Sequence, residues 1–290
     1  MRRAADLCAL LQARQPNDTD LGQHFLIDEV HLAGIVDLAG DLNGRSVLEI
    51  GPGPGTLTEH LLGAGAIVTA IEVDAVAVDH LQQHFGEAIQ HGHLTVLTGD
   101  ALHHPWPGDI DAIVANIPYQ ISSPLIERIE TYRREVVCPR RVVLLVQEEF
   151  AERLTLATPA DRGSLGICTA LGWDASMHRR VPPGAFRPPP AVMSRVVALD
   201  PRTWPEAVDH RFVRLVVQQA FAARRKKLRT SLQRPPRRLS RRPGWYAERW
   251  NRALASLKDD PRLDQRPEEF DVEAWLAFCA DLAEAEVHIG

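Results

Sequence analysis

Residues 116–119 carry side chains that could hold a planar nucleobase. They read Asn-Ile-Pro-Tyr and follow an apolar run that predicts a strand. Asn116 offers an amide oxygen as an acceptor, and Pro118 biases Ile117 toward an extended backbone whose carbonyl faces the same space. Tyr119 could stack on the base, a contact worth about 1–3 kcal/mol. The four residues predict a pocket for the exocyclic amino group of a base, although a plain strand end and turn would also explain them.

A glycine-rich turn upstream predicts a nucleotide-type cofactor. Ser46–Ile50 is a short apolar run, Gly51-Pro-Gly-Pro-Gly55 follows it, and residues 56–62 are compatible with a helix. Strand, glycine turn and helix form the entrance to a nucleotide-binding βαβ unit, where glycine lets the backbone turn tightly and approach a ligand. The next apolar run ends in Glu72, where an acid can accept hydrogen bonds from ribose hydroxyls. A simple tight turn is the alternative.

The spacing of this turn distinguishes two cofactors. A dinucleotide fingerprint, G-x-G-x-x-G, requires glycine at position 56, where this chain has Thr56. Glu49 lies two residues before the first glycine, and the resulting E-x-G-x-G-x-G spacing resembles motif I of S-adenosylmethionine-dependent methyltransferases. The turn therefore favours S-adenosylmethionine over NAD.

Asp100 follows a third apolar run, residues 94–97. An acid just past this strand can accept a hydrogen bond from the adenine amino group of the cofactor. Asp is also favoured as the N-cap of a helix, so the residue alone leaves both interpretations open.

Taken together, the motifs resemble the KsgA/Dim-type rRNA adenine N6,N6-dimethyltransferases, a family whose relatives include the Erm macrolide-resistance methyltransferases. The resemblance runs from Gly22 to about Leu232, and the forms at 23–28 and 116–125 are closest to its archaeal and eukaryotic branch. One departure is Ala191, where the family usually has lysine. Three further segments match family motifs: Gly22-Gln-His-Phe-Leu26, Phe186-Arg-Pro-Pro-Pro190 and the segment 220–232, AFAARRKKLRTSL.

The resemblance implies roles for named residues. The cofactor-binding set is His24, Leu26, Gly51, Gly53, Gly55, Glu72, Asp100 and Asn116. The catalytic set is Asn116, Ile117, Pro118 and Tyr119, with Phe186 on the second face of the adenine, although Phe186 by itself would fit a core position equally well. The RNA-binding set is Arg224, Arg225, Lys226, Lys227 and Arg229. No metal site is implied.

The chemistry that follows is direct methyl transfer to N6 of adenine. The N6 lone pair is delocalised into the ring, so two acceptors, the Asn116 amide oxygen and the Ile117 carbonyl, would hold the amino hydrogens and direct the lone pair at the methyl group. No general base is needed before attack, and catalysis rests on positioning and electrostatics. The target adenine must leave its stack to reach the pocket.

Charge is distributed unevenly along the chain. The whole chain has a net charge of −5, yet residues 211–252 contain 14 arginines and lysines and one acid, Glu248. Such asymmetry predicts a nucleic-acid-binding surface. A solvated helix face is the plain alternative, and a membrane-surface helix is disfavoured because Pro235, Pro236 and Pro243 interrupt the run.

Composition bounds the class of protein. With 290 residues and 45% hydrophobic content, the chain suits a large globular domain and a small one. Its four cysteines are widely spaced, which predicts neither a disulfide framework nor a zinc site. No signal peptide or membrane span is recognisable. We expect a monomeric, cytoplasmic protein that does not act at a membrane.

The elements that must position these residues form an α/β fold. Residues 1–45 are a lead-in with a helix over Glu29–Ala39, and strands alternate with helices over 46–116, which predicts a parallel sheet. Later strands are predicted over 141–147, 174–181 and 193–199, the last two as an antiparallel edge pair. The expected fold class is a Rossmann-like S-adenosylmethionine-dependent methyltransferase sheet of seven strands with an antiparallel edge. It comprises residues 1–203, followed by a hinge (200–205) and a small C-terminal α-helical, RNA-binding domain over 204–290.

The predicted function is dimethylation of two adjacent adenosines near the 3′ end of small-subunit rRNA, within an assembly intermediate during ribosome biogenesis. Three alternatives remain at this point. A dehydrogenase would explain the βαβ start but not Thr56 or residues 116–119. An Erm-type enzyme would act on large-subunit rRNA. A non-catalytic assembly or RNA-binding factor is disfavoured because Asn116 and every motif acid are present.

Overall fold

The computed structural model describes residues 2–15, 23–204 and 209–285. Gly22 of the predicted cofactor motif and the end of the predicted hinge at Pro205 lie outside these ranges. The chain divides into two compact units. The first unit consists of residues 1–151 and 174–201, and the second of residues 152–173 and 202–290.

The strands have the following bounds: β1 Phe25–Leu26, β2 Ser46–Ile50, β3 Ile67–Glu72, β4 Leu94–Thr98, β5 Ala112–Asn116, β6 Arg141–Gln147, β7 Trp173–Val181, β8 Phe186–Arg187 and β9 Ser194–Pro201. The helices are α1 Ala4–Gln12, α2 Glu29–Ala39, α3 Thr56–Gly63, α4 Ala75–His84, α5 Gly86–Gln90, α6 Ser122–Glu135, α7 Glu148–Thr155, α8 Ser164–Ala170, α9 His210–Phe221, α10 Leu228–Ser231, α11 Ala247–Ser256 and α12 Val272–Glu284.

Seven of the strands in the described ranges form one sheet, in the order β4-β3-β2-β5-β6-β9-β7. Strands β2 to β6 pair in parallel, and β9 runs antiparallel to β6. The parallel strands read as continuous apolar runs because helices cover both faces of such a sheet. The predicted Rossmann-like fold with an antiparallel edge is confirmed.

One detail of the predicted alternation is wrong. The structure describes every residue between β4 and β5, and no helix lies there. Residues 99–111 form turns and bends instead. Pro105, Pro107 and Gly108 explain the difference, since proline removes a backbone donor and glycine costs helix stability.

The second unit is helical and has an apolar core of its own. Trp250 and Trp275 are fully buried in it, and the Trp250 indole N–H donates to the Leu232 carbonyl at 3.0 Å. Residues 152–173 group with this unit because Ile167 and Leu171 lie in the same apolar cluster as α9. A functional boundary after residue 203 stays a prediction. No helix within the described ranges is long and apolar enough to cross a membrane.

Candidate functional site

A cavity of about 300 Å³ lies in the first unit at the carboxyl ends of the parallel strands. Ligands of open α/β sheets bind at this edge. Most of the predicted site residues of this unit line the cavity: His24, Gly51, Gly53, Glu72, Asp100, Asn116, Ile117, Pro118 and Tyr119. Residues from the turns after β2, β3, β4 and β5 thus meet in one place.

The glycine turn forms one wall of the cavity. Gly53 has φ +53°, and a Cβ added there would lie 2.5 Å from the Phe25 ring. Its N–H donates to Glu72 Oε2 at 2.9 Å. Only glycine fits this left-handed position without moving the ring or the turn.

Glu72 is a buried carboxylate held by the backbone. It is 6% exposed, and its two oxygens accept hydrogen bonds from the N–H groups of Gly53, Val73 and Asp74 at 2.9–3.0 Å. Burial raises its pKa, and the three backbone donors oppose that effect. Oε1 accepts two of these bonds and Oε2 one, so Oε2 retains a lone pair for a ligand hydroxyl.

Glu49 lies next to this site but does not line the cavity. It is 1% exposed, and its Oε2 accepts a hydrogen bond from the Thr58 hydroxyl at 2.7 Å. Burial raises the pKa of Glu49 to about 8, and the negative charge of Glu72 adds to the increase. The sequence identified Glu49 as a member of the motif but did not predict its raised pKa.

Asn116 is oriented by a backbone group far away in sequence. Its amide Nδ2 donates to the carbonyl of His24 at 3.0 Å. A carbonyl can only accept, so the amide nitrogen faces His24 and Oδ1 is left as the acceptor available at the cavity. The predicted use of Oδ1 as an acceptor therefore fits the geometry.

Tyr119 is fixed at both ends. Its ring stacks on His24, with centroids 5.6 Å apart, and its hydroxyl shares a 2.7 Å hydrogen bond with Ser194. Burial raises its pKa. His24 Nδ1 in turn donates to the Pro188 carbonyl at 3.0 Å, so the proline loop reaches the cavity rim through this contact. Sequence reasoning missed Ser194 as the partner of the Tyr119 hydroxyl.

Asp100 caps a turn, since no helix follows it, and its role toward the cofactor stays a prediction. Its Oδ1 accepts from the Leu102 N–H at 2.9 Å, as a capping side chain does, and Oδ2 lies 2.8 Å from His103 Nδ1. These bonds, that from Leu102 most strongly, lower its pKa. The side chain nevertheless lines the cavity and is 48% exposed, so it can also accept from a ligand.

Three predicted site residues do not reach the cavity. Leu26 and Phe186 are buried opposite each other in the pairing of β1 with β8, and Gly55 packs against Phe85 and Leu81. Phe186 is 3% exposed and belongs to the main apolar cluster, so it is a core residue in this structure and we do not retain it as a clamp. Phe25 and Val73 line the cavity and were not predicted.

The predicted RNA-binding residues lie in the second unit and divide into two groups. The motif segment 220–232 is not one continuous helix, because α9 ends at Phe221 and α10 begins at Leu228. Arg229 and Lys227 both bind Asp264, at 2.7 and 3.1 Å, and lower the pKa of that carboxyl to about 2. Arg224 donates to the Ala160 carbonyl.

Arg225 and Lys226 are exposed, and neither forms an ion pair with any residue that the structure describes. Two of the five predicted cations are therefore available to a ligand without breaking an ion pair.

Comparison with known proteins gives a consistent result. Residues 14–240 match the sequence model of a family described as ribosomal RNA adenine dimethylase. The chain is 35% identical over 281 residues to a ribosomal RNA small subunit methyltransferase A of Synechococcus elongatus, covering 91% of this chain and 94% of the relative. It is 40% identical over 213 residues to a probable protein of the same name from Methanospirillum hungatei, covering 72% and 80%. Bacterial and archaeal relatives both match, so the branch suggested by the motifs stays a prediction.

Solved structures agree with the sequence relatives. A dimethyladenosine transferase from Plasmodium falciparum superimposes with a TM-score of 0.73 at 26% identity, covering 89% of this chain and 97% of that one. The 23S rRNA methyltransferase ErmE gives a TM-score of 0.60 at 25% identity, covering 89% and 99%.

Proposed function

The chain belongs to the ribosomal RNA adenine dimethylase family, and on this basis we propose that it transfers methyl groups from S-adenosylmethionine to N6 of adenosines in small-subunit rRNA. It is an S-adenosylmethionine-dependent rRNA adenine dimethyltransferase. We further propose that the targets are two adjacent adenosines near the 3′ end, and that the monomeric protein acts in the cytoplasm on a small-subunit assembly intermediate.

The cavity fits the cofactor chemically. The backbone of Gly51 and Gly53 lines the cavity, and Glu72 keeps a free lone pair there for a ribose hydroxyl. Asp100 can accept from an adenine amino group. S-adenosylmethionine supplies the methyl group, as a sulfonium.

The observation that carries the proposal is the hydrogen bond from Asn116 to the His24 carbonyl, because it sets the direction of the amide. Oδ1 and the Ile117 carbonyl would accept the two N6 hydrogens and hold the nitrogen lone pair toward the methyl group. Tyr119, held by His24 and Ser194, supplies an aromatic surface for the base. The residues at this site orient the nitrogen, and none is required to remove a proton first.

The deciding experiment is methyl transfer from labelled S-adenosylmethionine to purified small and large ribosomal subunits, with the modified base mapped. We expect N6,N6-dimethyladenosine in the small subunit. Modification of the large subunit alone would indicate an Erm-type enzyme. Binding without transfer to either subunit would indicate a non-catalytic assembly factor.

Replacement of Glu72 tests the cofactor site. Glu72→Ala should weaken S-adenosylmethionine binding by about 1–3 kcal/mol, since a charge-assisted hydrogen bond is lost. Calorimetry of the purified variant measures the effect, and Glu87→Ala, on the exposed surface of α5, is the control. Unchanged affinity in Glu72→Ala would exclude this role, and tight NAD binding by the wild type would exclude the proposed cofactor.

Replacement of the cations tests RNA binding with two variants of equal charge. Arg225→Ala/Lys226→Ala removes the two unpaired cations, whereas Lys227→Ala/Arg229→Ala removes two that already bind Asp264. Each lost phosphate contact lowers the slope of log affinity against log salt concentration by about 0.7–0.9. We expect the first variant to flatten the slope more, with cofactor binding unchanged in both. Equal slopes in the wild type and the first variant would show that Arg225 and Lys226 lie on a solvated surface and do not contact RNA phosphates.

A further inference from the structure

The second unit contains an exposed aromatic ring that closely follows, in the sequence, a loop with unpaired arginines. Tyr246 is 48% exposed and directly precedes α11. Arg252 Nη2 donates to its hydroxyl at 3.0 Å, and the Arg252 guanidinium lies over one face of the ring, 5.9 Å from its centre, so a ligand would use the opposite face. Tyrosine presents a large contact area at the entropic cost of only two side-chain torsions.

The backbone that presents Tyr246 is rigidly anchored. The neighbouring Trp245 is buried and stacks on Phe212, with centroids 4.3 Å apart and planes 17° from parallel. Arg249 lies 4.4 Å from the centre of the Trp245 ring and donates to the Gly244 carbonyl at 2.7 Å. One aromatic residue therefore fixes the segment in the core while the next is directed toward solvent.

The preceding loop supplies positive charge. Its buried Leu239 anchors it to the apolar core. Four of its arginines are exposed and form no ion pair with any described residue: Arg234, Arg237, Arg238 and Arg241. These exposed guanidinium groups complement a polyanion.

We propose that Tyr246 stacks on an unpaired base of bound RNA, while the arginines of the 234–241 loop contact the flanking phosphates. An aromatic face beside exposed cations is the combination that single-stranded nucleic acids bind. A base in a duplex is already stacked on its neighbours, so this site selects unpaired RNA. The proposal rests on the proposed rRNA substrate and adds a base contact that lies outside the cofactor cavity.

The test compares a short single-stranded oligoadenylate with an RNA duplex of equal length, both bound to the full chain. Tyr246→Ala and Tyr246→Leu should bind the oligoadenylate about 5- to 100-fold more weakly. Tyr246→Phe should bind like the wild type, because it keeps the ring and loses only the hydroxyl. Affinity for the duplex and the salt slope should not change in any variant, since no charge is removed.

Wild-type affinity for the oligoadenylate in Tyr246→Ala or Tyr246→Leu would overturn the proposal, as would an equal loss on the duplex. A loss in Tyr246→Phe matching that in Tyr246→Leu would assign the effect to the Arg252 hydrogen bond and also overturn it. The comparison of Phe with Leu holds even if Tyr246→Ala is less stable. Failure of the proposed function is distinct, because it is an absence of methyl transfer by the wild type to any ribosomal subunit.

Discussion

Asn116→Ala should lose methyl transfer to RNA by at least 10²–10³-fold, about the loss when one oxyanion-hole donor is removed. The substitution removes the Oδ1 acceptor, and it also removes the amide that binds the His24 carbonyl at 3.0 Å. Asn116 ends β5 at the cavity and is only partly buried, so the sheet should remain folded. Single-turnover methylation at saturating RNA and cofactor measures the loss, and circular dichroism and calorimetry confirm folding and cofactor binding.

Tyr119 provides the matched control for this experiment. Tyr119→Ala should also be slow, whereas Tyr119→Phe should keep most of the activity because stacking requires the ring. The bond to Ser194 adds a separate expectation, since its loss in Tyr119→Phe should cost about 0.5–1.5 kcal/mol of stability. If Asn116→Ala transfers methyl groups at nearly the wild-type rate, residues 116–119 form only a turn.

The sequence predicted that the site residues lie close together, because their positions at the ends of strands follow from local rules. The acid or amide after each apolar run lies at the end of a parallel strand, and those ends share one edge of the sheet. Glu72, Asp100 and Asn116 could therefore be placed together from their positions alone. The binding role of each residue stays a prediction.

Contacts between distant segments could not be predicted in this way. The partner that orients Asn116 is a backbone carbonyl 92 residues earlier, and no spacing rule connects them. The burial of Phe186 could not be predicted either, because it depends on the antiparallel pairing of β8 with β1.

The basic run shows how charge in a sequence differs from charge available in a structure. Counting residues 224–229 predicts five cations for RNA, but Asp264 lies 35 residues beyond Arg229 and binds two of them. The availability of a cation depends on which acid the fold brings beside it. For that reason we expect Arg225 and Lys226 to contribute more to RNA binding than Lys227 and Arg229.

Glu49→Gln should stabilise the first unit at alkaline pH by several kcal/mol relative to the wild type. The folded-state pKa of Glu49 is about 8, against an ordinary value of 4.5, because the carboxyl is buried and lies near Glu72. The folded protein therefore holds a proton that the unfolded chain releases, so wild-type stability falls as pH rises from about 4.5 to about 8. Each pKa unit corresponds to about 1.4 kcal/mol, which sets an upper limit of about 5 kcal/mol at pH 8 and above.

Urea unfolding of the wild type and Glu49→Gln from pH 5 to pH 9 measures this difference. We expect the two stability curves to diverge as pH rises and to become parallel above about pH 8. Glu87→Gln, an exposed carboxyl of the same unit, should follow the wild-type curve throughout. Glutamine keeps an oxygen that can accept from Thr58, so loss of that bond does not account for a difference. A constant offset between wild type and Glu49→Gln at every pH would show that Glu49 is ionised in the folded protein, with its charge held by the backbone and Thr58 rather than neutralised by a proton.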